Sequence, residues 1–131
     1  MIPLAPLIPT KNGAALLIDC GANVDSRPSH LVQFAKIGAT YMENIVVKNP
    51  RVGLVNIGAE EEKGNALTKE AYQLLKETKG INFIGNVEAR EIPEGVADVV
   101  VCDAFVGNVI LKLYEGVGGV LLSKIKGTIT N

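Results

Sequence analysis

Apolar positions in this chain fall into two patterns, short unbroken runs and longer stretches with a helical repeat. Residues 15–20, 52–57, 81–85 and 99–103 are the short runs. None alternates polar with apolar residues over its length, as expected of strands covered on both faces. Leu31, Phe34, Ala35, Gly38, Met42 and Ile45 instead recur at three- and four-residue intervals, which predicts a helix of about five turns with one apolar stripe. Asp25 or Ser26 offers it an N-cap, and Pro28 suits its first turn. Asn49-Pro50 ends it, because the residue before proline is pushed out of the helical region. Leu67, Ala71, Leu74 and Leu75 mark a second helix, with Gly80 placed as a left-handed C-cap. The link 86–98 holds Pro93 and Gly95 and is close to the shortest parallel crossover, so any helix in it is short. Asn108 is expected to cap a closing helix with Val109, Ile110, Leu113, Val117, Leu121 and Ile125 on one face. Gly116, Gly118 and Gly119 each cost that helix about 1 kcal/mol relative to alanine, so it must gain from close packing or be locally loose. Residues 1–9, apolar but with prolines at 3, 6 and 9, read as an extended entry strand.

Strands alternating with helices predict an α/β fold, a mainly parallel sheet with helices on both faces. No linker, repeat or low-complexity segment interrupts the chain, so residues 1–131 read as a single domain or part of one. Each strand-like run breaks off into a glycine-bearing stretch that carries an asparagine. These are Asp19-Cys20-Gly21-Ala22-Asn23; Asn56-Ile57-Gly58, leading on to Lys63-Gly64-Asn65; Gly85-Asn86; and Cys102-Asp103, leading on to Gly107-Asn108. In an open parallel sheet such turns emerge at the carboxyl ends of the strands, where ligands bind. The polar chemistry is therefore expected in one crevice.

Composition narrows the partners. The chain has 131 residues and 47% apolar content, enough for a core. A net charge of −1, three Phe, three Tyr and no Trp give neither the field nor the stacking surface of a nucleic-acid binder. Cys20 and Cys102 lack metal-ligand spacing and follow no signal peptide, which points to a reduced, cytoplasmic protein without a metal site. The apolar stretch 105–125 is broken by Lys112, Glu115 and Lys124 and is not read as a membrane span.

Glycine lets backbone amides approach a ligand, asparagine both donates and accepts, and a helix N-terminus favours negative charge. The same residues also simply make turns and caps. Lys11, in Pro9-Thr10-Lys11-Asn12-Gly13, and Lys63 are cations in polar turns that could pair with phosphate, or be solvated. No G-x-x-x-x-G-K-[ST] and no G-x-G-x-x-G occurs, which excludes a P-loop and argues against a standard dinucleotide site. Asp19 and Asp103 each close a strand and could orient a lysine or water, bind a metal, or cap and turn the chain. His30, the single histidine, falls in a first helical turn, where a packing role is at least equal to general-base catalysis. Either cysteine would need a neighbouring base or cation to become a nucleophile, and a buried inert thiol is the better reading.

Read in order, these segments resemble the bacterial phosphate acyltransferase family known as PlsX, the acyl-acyl-carrier-protein:phosphate acyltransferases. The similarity rests on residues 9–13, 19–23, 49–58, 62–65, 67–72, 82–88 and 101–109, in order and with consistent spacing. It implies a fold akin to the isocitrate and isopropylmalate dehydrogenases and the phosphate acetyltransferases, of which this chain is a part. It implies a reaction in which phosphate attacks the thioester of acyl-acyl carrier protein to give acyl phosphate for phospholipid synthesis, with no cofactor. Acyl carrier protein, a second copy of the chain and peripheral membrane contact are the implied partners. On this resemblance Lys11 and Lys63 are the candidate cations, and Asn12, Asn23, Asn65 and Asn108, with Gly21, Ala22, Gly64, Gly85, Asn86 and Gly107, are candidate donors to phosphate and oxyanion. Asp19 and Asp103 are to orient them. Ala89 and Ala104 stand where family members often carry glycine. Members are longer, and this chain matches their central-to-late portion, which leaves part of the cleft outside it. A phosphate acetyl- or butyryltransferase using coenzyme A, and a non-catalytic fragment that binds carrier protein or itself, are the competing readings.

Overall fold

The computed structural model describes residues 4–21, 27–56 and 65–130, the last ten without side chains. Strands β1 (Leu7–Thr10) and β2 (Gly13–Ile18) form a hairpin, followed by helix α1 (Pro28–Ile45), strand β3 (Arg51–Val55) and helix α2 (Ala66–Glu77). Strand β4 (Asn82–Val87), a 3-10 helix (Ala89–Glu94), strand β5 (Val99–Val101) and helix α3 (Ala104–Thr130) complete the chain. The five strands lie in the order β1-β2-β5-β3-β4. All pairings are parallel except that of β1 with β2.

Each strand divides its side chains between two apolar layers, as the two-residue period of a strand dictates. Leu16, Ile18, Val52, Leu54, Val99 and Val101 face one layer, where Leu31, Phe34, Ala35 and Met42 of α1 and Ala71 and Leu75 of α2 pack on them. Ala15, Leu17, Val55, Val87 and Val100 face the other, closed by Ile92 of the 3-10 helix and Ile110 of α3. Helices thus cover both faces. The α1 stripe comes close because Gly38 has no side chain there: a Cβ would stand 2.7 Å from Val99 Cγ1.

Several element ends differ from the sequence expectation. Helix α1 starts at Pro28 with Arg27 in the cap position, whose amide donates to His30 Nδ1 at 3.1 Å. Asp25 and Ser26 lie outside the described residues. The helix stops at Ile45, four residues before Asn49. Helix α2 ends at Thr78, whose hydroxyl bonds Leu74 O, so Gly80 (φ 89°) sits in the turn beyond the cap. Strand β4 does not stop at Gly85. The pairing with β3 shifts by one residue between Val52 and Gly53, leaving Ile84 without a partner; Gly85, at φ 102° directly after it, pairs with Gly53, so the strand runs on through Asn86 to Val87. At the far end, Arg51 binds Asp98 through its backbone amide at 2.8 Å and its guanidinium at 3.1 Å, tying the start of β3 to the start of β5. The guanidinium also donates to Gly95 O at 2.9 Å.

Helix α3 begins at Ala104, not after Asn108. Asp103 accepts from Val106 N at 2.8 Å through its carboxylate and from Gly107 N through its carbonyl, which is an N-cap and the first helical bond. Asn108 is exposed within the helix. A Cβ on Gly116, Gly118 or Gly119 would meet no other group within 4 Å, so these glycines do not serve close packing among the described residues. No helix among the described residues is long and apolar enough to cross a membrane.

Candidate active site

Parallel pairing brings the carboxyl ends of β2, β5 and β3 side by side, and the segments that follow β3, β4 and β5 line one crevice of about 280 Å³. Leu31, Leu54, Val55 and Val106 give it apolar walls, and Ala89 and Cys102 complete them. Asn56, Asn65, Thr68 and Asp103 supply its polar groups. Asn65 is the N-cap of α2: its side-chain oxygen accepts from Thr68 N at 2.9 Å and from the Thr68 hydroxyl at 3.1 Å. Asp103 does the same for α3. Two helix N-termini, each with its own cap, therefore open onto the same space, and both dipoles favour an anion there.

Behind the crevice lies a built support. Asp19 is fully buried, and its Oδ1 accepts from Leu4 N at 2.9 Å and Gly21 N at 2.8 Å. Its backbone amide donates to Cys102 O at 3.0 Å, and its carbonyl receives the Cys102 thiol at 3.6 Å. Gly107, buried in the first turn of α3, presses against that same carbonyl, leaving no room for a Cβ. Asp19 and Gly107 thus set where α3 begins relative to β2, rather than facing the crevice themselves.

Both thiols are suppressed. Burial, and secondarily the neighbouring Asp19, pushes Cys20 up to about 12. Burial likewise raises Cys102, helped by Cys20 and the two aspartates. Neither is a nucleophile at neutral pH. The carboxylate, amide and hydroxyl groups here suit binding and orientation rather than covalent catalysis, and among the described residues no cluster of three His, Cys, Asp or Glu is placed to hold a metal.

The structure separates the sequence candidates. It brings Asn65 and Asp103 to the crevice and sets Asp19, Gly21 and Gly107 behind it. Lys11 and Asn12 form the β1–β2 turn, at the amino ends of the parallel strands and so at the opposite edge of the sheet. There Lys11 pairs with Glu94 at 3.7 Å and donates its amide to Pro93 O, while Asn12 Nδ2 donates to Gly95 O at 3.1 Å. The Asn12-Gly13 pair, a hairpin-turn signal with Gly13 at φ 125°, is what marked that reversal. Gly85 and Asn86 belong to β4 rather than to a turn, and Asn108 points away on the exposed side of α3. His30 serves the start of α1. Ala22, Asn23, Lys63 and Gly64 lie outside the described residues. Asn56 belongs to one of the strand-end stretches but had no site role assigned from sequence, and Thr68 was not singled out, although it stands three residues after a cap, the position a capping side chain reaches.

A second cavity of about 290 Å³ lies at the amino edge, between Pro9, Pro93, Leu113, Tyr114 and Val117. It is almost wholly apolar. Burial raises the Tyr114 hydroxyl above its usual range.

Comparison with known proteins agrees with this architecture. By structure the chain is similar to the EutD phosphotransacetylase from Staphylococcus aureus, with a TM-score of 0.69 over 88% of this chain and 42% of that one. At 17% identity that likeness concerns the fold. By sequence it is 63% identical over 127 residues to a phosphate acyltransferase of Clostridium perfringens (strain SM101 / Type A), covering 96% of this chain and 38% of the relative. The phosphate acyltransferase of Clostridium novyi (strain NT) is 60% identical over 127 residues, again covering 96% of this chain and 38% of the relative. That of Clostridium acetobutylicum is 55% identical over 131 residues, covering 99% of this chain and 39% of the relative. The chain thus spans well under half the length of these relatives. Because the family model described as fatty acid synthesis protein (FA_synthesis) matches residues 3–131, almost the whole sequence, the chain belongs to that family.

Proposed function

We propose that this chain forms the phosphate-side wall of the active site of a phosphate acyltransferase, which moves an acyl group from the thioester of acyl-acyl carrier protein to inorganic phosphate. The observation that carries this reading is the convergence of the α2 and α3 N-termini, with Asn65, Thr68 and Asp103, on one crevice at the carboxyl edge. A phosphate oxygen attacks the thioester carbon, the carbonyl oxygen gains negative charge, and the carbon–sulfur bond breaks to release the carrier thiol. First-turn amides and the Asn56 and Asn65 side chains are donors suited to that charge, held in place before it develops. Direct attack by a positioned phosphate needs no enzyme nucleophile, in keeping with two suppressed thiols. Lys63, Gly64, Asn23 and Ala22 are proposed to complete the cradle from the neighbouring segments, as the resemblance implies.

The test is a chimera in which the matching 127 residues of the C. perfringens relative are replaced by this chain. Phosphate-dependent release of free carrier thiol supports the proposal, and loss of that release in Asn65→Ala or Asp103→Ala places these residues in it. Unchanged kinetics in both variants removes them. The fold shared with a phosphotransacetylase favours one second reading, an acyl-coenzyme A donor. Running the same chimera with carrier-protein and coenzyme A thioesters separates the two.

A further inference from the structure

We infer that Asp103 makes the crevice selective for an oxyanion that carries a hydrogen, so that it accepts phosphate and rejects sulfate; this inference rests on the reading given under Proposed function. Helix N-termini alone do not distinguish the two ions. Both are tetrahedral, both accept hydrogen bonds, and backbone amides serve either. Only a group that itself accepts can tell them apart.

Asp103 is that group. Asn56, Asn65 and Thr68 each carry a side-chain hydrogen to donate, whereas an ionised carboxylate only accepts. Its Oδ1 is committed to Val106 N at 2.8 Å, and among the described residues no hydrogen bond reaches its Oδ2. Capping does not require the charge, since Asn caps as well as Asp, and Asn65 does so for α2 at the same crevice. Asp103 is half-buried, so solvent screens its charge only in part. An anion without a hydrogen meets repulsion there and leaves the carboxylate oxygen unpaired. Phosphate at neutral pH keeps a P–OH hydrogen, and sulfate keeps none. A P–OH donating to Asp103 Oδ2 turns repulsion into a charge-assisted hydrogen bond. The unprotonated oxygens are then left for the first-turn amides and the thioester carbon.

The test is calorimetric titration of the chain at neutral pH with inorganic phosphate, sulfate and monofluorophosphate, a dianion that has fluorine where phosphate has its hydroxyl. Wild type is expected to bind phosphate roughly ten- to hundredfold more tightly than either of the others. Asp103→Asn keeps an N-cap but puts a donor in place of Oδ2, and is expected to bring the three affinities within about threefold of one another. Equal wild-type affinities overturn the inference, as does a preference that survives in Asp103→Asn, while phosphate binding still supports the reading beneath it. Absence of binding by all three ions overturns both. Should the Asn variant not fold, Asp103→Ser, another good cap without the charge, is read in the same way.

Discussion

Replacing Gly107 by alanine tests whether the carbonyl of Asp19 really fixes the start of α3. The added Cβ would overlap the Asp19 carbonyl oxygen and stand 2.8 Å from the carbonyl carbon and 3.1 Å from Cys102 Sγ. Neither partner can step back freely. The Asp19 peptide is bonded to Cys102 on one side, its carboxylate is held by Leu4 and Gly21, and the Gly107 amide is committed to Asp103 O. Forcing an extra carbon into such packing costs about 3 kcal/mol, the upper end for overpacking. Better helix propensity offsets about 1 kcal/mol, leaving a net loss of about 2 kcal/mol, or roughly thirtyfold in the folding equilibrium. Gly116→Ala is the matched control, since its Cβ would meet nothing and should stabilise by about 0.5–1 kcal/mol. Urea denaturation of both variants reads the midpoints directly. If Gly107→Ala proves as stable as Gly116→Ala, Gly107 is not the contact that seats α3.

Other expectations follow from single contacts. Burial pulls the Asp98 carboxyl upward, but its bonds to the Arg51 guanidinium and backbone outweigh this and leave it below its usual value of 3.8. The stability it contributes is complete above that value and is lost as pH falls through the lower folded one, so Asp98→Asn should cost about 2 kcal/mol at pH 7 and less at pH 2. Equal losses by denaturation at both pH values would contradict this. Cys20, at about 12, should be alkylated by iodoacetamide at pH 8 about ten-thousandfold more slowly than its thiolate would be, with mass spectrometry showing modification only after unfolding. Asn65→Ala removes the α2 cap and should lower stability by about 1 kcal/mol in urea melts while weakening phosphate binding; an unaltered phosphate affinity would confine Asn65 to capping.

Strand positions were legible because a strand buried on both faces is an unbroken apolar run, and β2, β3 and β5 carry such runs. The stripes of α1 and α2 were equally plain, since burial on one side forces the 3.6-residue repeat. Pairing direction was not. Residues 7–10 read as extended, but their fold-back onto β2 sends Lys11 and Asn12 to the edge opposite the crevice, and only the Asn12-Gly13 turn hints at it. Gly85 misled for a related reason: a positive φ that ends one strand merely bulges another, and the choice depends on whether β3 offers partners on both sides of the glycine. At α3, Asp103 and Asn108 were both plausible caps. The seating of Gly107 on Asp19 decided between them, and that contact joins residues 88 positions apart.

The central claim is that the carboxyl-edge crevice, and not the lysine-bearing turn at the other edge, receives phosphate. Titrating inorganic phosphate into the isotope-labelled chain and following its amide resonances tests this most directly. Saturable shifts at Asn56, Asn65, Thr68 and Val106, with Lys11 and Asn12 unmoved, are the result predicted. Shifts confined to Lys11 and Asn12, or no saturable shift at the crevice, would contradict it.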